Sequence, residues 1–121
     1  MVLIGHSWGG DAIIDLMRDR RTPRPELIVT VDPVGRSASF GLGRSNNFGG
    51  LWVNITATDD AMGKSGGNFV AGLWGKTSRR ITVRADVQVD AKRTHENFPA
   101  MLADARIPEM IQSVRTNAAR R

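Results

Sequence analysis

The sequence contains no cysteine, which excludes a disulfide framework and any thiolate-based metal site. It also lacks a run long and apolar enough to span a bilayer, because Asp11 and Asp15 interrupt the one apolar stretch near its start. No secretory signal pattern opens the chain. The cytoplasm is therefore the default compartment, with an exported full-length form left open. No internal repeat is visible over the 121 residues, so they read as a single domain, 1–121. Histidine is scarce: His6 and His95 are the only two, which narrows the choice of any general base.

What is present is an ordinary folded composition, 40% hydrophobic and 24% charged, rather than a disordered one. The net charge is +5, and a basic balance raises the question of nucleic acid or an anionic surface. The arginines are scattered, however. Arg18, Arg20 and Arg21 close a helix, Arg79, Arg80 and Arg84 enter a strand, and Arg120 and Arg121 end the chain. Cations in the last turn of a helix complement its dipole, so the pattern reads as a solvated basic surface with no nucleic-acid partner. Most of the 13 glycines fall between Gly35 and Gly75, which marks that stretch as rich in loops.

Along the chain, residues 1–4 form a short apolar run without alternation, as strands of parallel sheets do. From 9 to 20 the apolar residues Ala12, Ile13, Ile14, Leu16 and Met17 follow helical spacing, and Pro23 and Pro25 stop the helix. Residues 27–31 are a second strand, bounded by Pro25 and by Asp32-Pro33. Strand, helix and strand with short connections make a βαβ unit, which predicts parallel pairing. A third strand is predicted over 51–58. A fourth, over 80–89, alternates Ile81, Val83, Ala85, Val87 and Val89 against polar residues, as at a sheet edge. Gly-rich loops are expected over 35–50 and 63–75. Asn97 with Pro99 opens a short helix through Met101 and Leu102, and Pro108 starts a last helix carrying Met110, Ile111 and Val114.

Gly5-His6-Ser7-Trp8-Gly9 has the form Gly-x-Ser-x-Gly, a pattern of little weight alone in a Gly-rich chain. Its context gives it weight. A strand runs directly into it and a helix leaves it, the setting that exposes a serine hydroxyl on a strained turn. Gly5 and Gly9 are expected to provide clearance where a Cβ would collide with the neighbouring elements. The sequence thus resembles the α/β-hydrolase superfamily, and the elbow together with Asp32-Pro33 resembles the lipases and esterases within it.

The resemblance implies a serine hydrolase in which Ser7 is the nucleophile and the backbone N–H of Trp8 an oxyanion donor. In this superfamily the chain order is serine, acid, histidine. His6 sits inside the elbow with its ring directed away from the Ser7 hydroxyl, which leaves His95, beyond the fourth strand, as the base. Three aspartates at strand ends compete for the acid. The first choice is Asp32, which ends the second strand, where some lipases carry theirs, and which would orient His95; Asp60 and then Asp59, at the end of the third strand, the commoner location, are the alternatives. No metal or organic cofactor is implied. The expected substrate is a small-molecule or lipid ester.

Two other features are set aside. Gly63-Lys64-Ser65 ends like a phosphate-binding loop, but Thr58 stands where its first glycine belongs. Trp52 and Trp74 suit a core or pocket wall better than a nucleobase platform. The resemblance also implies that these residues are the C-terminal half of the fold, family strands five to eight, with the second oxyanion donor carried by a preceding half. An exposed first strand would favour self-association, and an inactive fragment or interaction module is the alternative to an ester hydrolase.

Overall fold

The computed structural model describes residues 1–19, 21–35, 50–59, 79–80 and 85–121. The elements are β1 (Val2–His6), α1 (Trp8–Arg18), β2 (Leu27–Val31), β3 (Val34–Gly35), β4 (Leu51–Ala57), β5 (Arg79–Arg80) and β6 (Val87–Ala91). Two helices follow, α2 (Phe98–Asp104) and α3 (Ile107–Ala119). Four strands lie side by side in the order β1-β2-β4-β6, and every neighbouring pair is parallel. Val34–Gly35 and Arg79–Arg80 pair antiparallel as a separate small ribbon.

The side-chain alternation of the strands divides the core into two layers. Leu27, Val29 and Val31 of β2 point to the same face as Val53, Ile55 and Ala57 of β4 and Ala91 of β6. There they pack with Met101, Ala105 and Ile107 from α2, its end and α3. Ile28 and Trp52 point to the other face and meet Ile13, Ile14 and Met17 of α1. The arrangement is therefore α/β, a parallel sheet with helices on both faces. Because β2 is covered on both sides, all five of its residues are buried, which explains its unbroken apolar sequence. Its one polar residue, Thr30, takes the indole N–H of Trp52 (3.0 Å) and donates to Asn54 Oδ1 (2.6 Å), so the buried polar atoms are satisfied by one another.

Several expectations need correction. The expected strand 1–4 continues through Gly5 to His6, up to the serine itself. The buried stripe of α1 is Gly10, Ile13, Ile14 and Met17, whereas Ala12 is exposed and Leu16 is 46% exposed. The described residues of the expected strand 80–89 fall in two elements. Arg79–Arg80 pairs with β3, and among the described residues of this stretch Val87–Ala91 joins the main sheet, with an alternating half-wet face. Ile81 and Val83 lie outside the described residues, as do 36–49 and 63–75, including Trp74. The two-residue strand β3 had no sequence signal, because its partner lies more than forty positions away. Among the described residues no helix is long and apolar enough to cross a membrane.

Candidate active site

The turn between β1 and α1 is built around Ser7, which has φ 57° and ψ −122°, a backbone state that side-chain-bearing residues seldom adopt. Such a conformation costs on the order of 1–3 kcal/mol and persists only where the surroundings enforce it. Here they do. The Ser7 N–H donates to the Val31 carbonyl (3.0 Å), and the Ser7 carbonyl accepts from Val34 N–H (3.1 Å) and Gly10 N–H (3.0 Å). The elbow is thus fastened to both sides of Asp32.

The glycines around it divide the work differently from the expectation. A Cβ on Gly5 would fall 2.3 Å from the Gly9 carbonyl oxygen, so Gly5 is required as expected. A Cβ on Gly9 would meet nothing within 4 Å. The second tight position is Gly10, whose Cβ would stand 2.8 Å from Pro33 Cβ. Clearance is needed where α1 crosses the β2–β3 turn, one residue later than the motif suggests.

Asp32 stands at the C-terminal end of β2 and His95 beyond the C-terminal end of β6, the edge where parallel sheets present ligand-binding groups. Asp32 has φ 42°, a left-handed state that aspartate tolerates better than most residues. Its N–H donates to the Ile55 carbonyl (2.6 Å), and its Oδ1 accepts from Ala57 N–H (3.2 Å). The remaining oxygen, Oδ2, accepts from His95 Nδ1–H. That bond places the proton on Nδ1, so the Nε2 lone pair faces Ser7 Oγ, 2.9 Å away. Asp32 is 1% and His95 4% exposed, so water is excluded from the link between them, while Ser7 is only half-buried. The three side chains come from positions up to 88 residues apart.

Of the other acid candidates, Asp59 is exposed, and its N–H donates to the Arg93 carbonyl at the base of the His95 loop (3.1 Å). Asp60 lies outside the described residues. Trp8 is the first residue of α1, which sets its amide at the positive end of the helix dipole, and its side chain is 44% exposed.

The place His6 takes has no signature in the sequence. Its Nε2–H donates to the main-chain carbonyl of His95 (2.5 Å), and its ring lies 4.8 Å from that of His95 and 4.9 Å from that of Phe98. Burial holds its pKa below the ordinary histidine value. The hydrogen bond to His95 opposes that shift, and the neighbouring His95 ring adds to it. On the outer side of the loop, Arg93 forms a two-pronged bond with Asp104 of α2 (2.9 and 3.2 Å), and this contact lowers the Asp104 pKa. The loop is thereby gripped from both sides.

Among the described residues no three His, Asp or Glu side chains gather as a cation site. A cleft of about 440 Å³ lined by Arg24, Glu26, Val114, Asn117 and Arg121 lies at the opposite, N-terminal ends of the strands, away from Ser7. Comparisons with protein-family models, with curated proteins and with solved structures return no match.

Proposed function

We propose that the chain belongs to the serine hydrolases and carries the second half of an α/β-hydrolase fold. Within that class its reaction is hydrolysis of a carboxylic ester through an acyl-enzyme, as in lipases and esterases. The observation that carries this reading is the unbroken relay from Asp32 through His95 to Ser7, on a serine held in a strained turn between a strand and a helix.

In this reading the Ser7 hydroxyl passes its proton to His95 Nε2 as Oγ bonds to the ester carbonyl carbon. The carbonyl electron pair moves onto oxygen, and Trp8 N–H stabilises that oxyanion. Collapse of the intermediate expels the alkoxide, which takes the proton from His95 and leaves the acyl group on Ser7. Water then attacks the acyl-enzyme with His95 again accepting a proton, and the acid and free serine are released. Asp32 holds the imidazole in the working tautomer and balances its charge. Trp8, which directly follows the nucleophile and is 44% exposed, favours an apolar acyl group.

The test is a fluorophosphonate probe on the folded protein. Labelling at Ser7, abolished in Ser7→Ala, is the expected result, together with an initial burst of nitrophenol from a p-nitrophenyl ester. A folded sample that takes no probe overturns the enzyme reading. It leaves the interaction-module reading, which the edge position of β1 among the described strands and the 41% exposure of its Ile4 favour.

A further inference from the structure

His6 precedes the nucleophile in sequence, yet its polar atom is directed at the main chain of the base. Its Nε2 lies 2.5 Å from the His95 carbonyl oxygen, which can only accept, so Nε2 carries the proton and His6 is the donor. The peptide link from His6 to Ser7, the contact of Ser7 Oγ with His95 Nε2 and the bond from His95 back to His6 close a ring of three links. Removing the His6 bond opens that ring. The His95 main chain then loses its tie to β1, and its ring is held by Asp32 and by the Ser7 hydroxyl it must act on.

The rings add a second tie. His6 packs against Phe98 at 4.9 Å with planes 25° apart, and against His95 at 4.8 Å with planes 35° apart. Phe98 is the first residue of α2, so the elbow, the His95 loop and the helix that follows it all meet at His6.

On the serine-hydrolase reading given above, we propose that His6 is a positioning residue, whose Nε2–H fixes the His95 main chain so that the base stays within reach of Ser7. Burial favours the neutral form of His6, so the neighbouring imidazole can become charged during turnover without facing a second cation. Hydrogen-bond geometry at a base is steep in rate. A displacement of about 1 Å is enough for a loss on the order of 10²-fold.

The experiment compares His6→Phe, which keeps a ring and removes the donor, with His6→Gln, whose side-chain amide reaches nearly as far as Nε2 and restores a donor. The readouts are the labelling rate of Ser7 by the fluorophosphonate, kcat and KM on a p-nitrophenyl ester, and the low-field proton resonance of His95 Nδ1 by NMR. The expected result for His6→Phe is a labelling rate and kcat lowered by about tenfold or more with KM unchanged, and a broadened Nδ1 resonance. In His6→Gln most of each effect returns. A His6→Phe protein with wild-type rates and an unchanged resonance overturns the proposal, as does failure of His6→Gln to recover either in a folded sample. If the unaltered protein takes no probe, the hydrolase reading fails by itself. The Nδ1 resonance of the two variants then still decides whether His6 holds His95.

Discussion

Gly5 and Gly9, the two glycines that frame the elbow, stand in an unequal relationship: Gly5 lies against the Gly9 carbonyl, while Gly9 has open space where its own Cβ would be. A Cβ on Gly5 would come 2.3 Å from that oxygen and 2.7 Å from Ile13 Cδ1, whereas one on Gly9 meets nothing within 4 Å. Gly5→Ala is therefore expected to destabilise by about 3 kcal/mol or more, since backbone atoms cannot step aside as a side chain can. Gly10→Ala, 2.8 Å from Pro33 Cβ, should lose about 1–3 kcal/mol. Gly9→Ala should melt at or above the unaltered protein, because alanine is the better helix former by up to about 1 kcal/mol. Thermal melts of the three variants check this order, and a Gly9→Ala protein as unstable as Gly5→Ala would contradict it.

The backbone of Ser7 gives a second, opposite-looking prediction. Ser7→Ala and Ser7→Gly both remove the hydroxyl and its contact with His95, so they differ only in the Cβ. At φ 57° a Cβ is a source of strain that glycine lacks. Ser7→Gly should then be more stable than Ser7→Ala by about 1 kcal/mol, the reverse of the usual ranking in regular structure. Chemical denaturation of the pair measures the difference directly. Ser7→Ala as the more stable of the two, in the usual order, would mean that the turn is not strained in solution.

Much of this site was legible in the sequence because it is made of local signals. A strand, a glycine, a serine and an amphipathic helix are contiguous, and Asp32 and His95 follow strand ends that hydrophobic patterning can find. The likeness to lipases favours Asp32, the aspartate that pairs with His95, but no local signal separates it from Asp59 and Asp60, because the pairing depends on which strand end the His95 loop leans toward. The role of His6 was not legible either: its partner is a main-chain carbonyl 89 positions away and carries no side-chain signature. The same holds for the fourth strand. Alternation over 80–89 is real, but it cannot tell a strand of the main sheet from a ribbon formed with Val34–Gly35. The clearance at Gly10 rather than Gly9 is a matter of how α1 crosses Pro33, a tertiary contact that no motif encodes.

The acid assignment is open to a clean comparison. Asp32 accepts from both His95 Nδ1–H and Ala57 N–H, while Asp59 is exposed and engages the chain through its own amide. In Asp32→Asn the side-chain amide presents a donor or a weaker acceptor to Nδ1, and the imidazole loses its enforced tautomer. On the proposed hydrolase reading, ester turnover is expected to fall by about 10⁴-fold with KM little changed. Asp59→Asn should stay within about twofold of the unaltered protein. Parallel kinetics on the two folded variants decide the matter, and a large loss in Asp59→Asn alone would move the acid to the end of β4.

The lowered pKa of His6 ties stability to pH with a definite sign. Burial makes the folded chain resist protonating this ring, so on acidification the unfolded chain takes up the proton first, near the ordinary value of 6.5. The unfolded state then binds more protons than the folded one, and stability falls with pH. The His6 contribution is fully present above about pH 6.5, and it is lost progressively down to the lower folded value. His95, the adjacent cation when protonated, pushes in the same direction, while Asp32 and the bond to the His95 carbonyl oppose it. His6→Gln keeps a donor but has no proton to gain. Urea midpoints followed from about pH 7.5 to about pH 5 should therefore decline more steeply in the unaltered protein than in His6→Gln. Parallel lines for the two proteins would show that His6 titrates alike in the folded and unfolded chains, and that burial at the elbow exerts no hold on its charge.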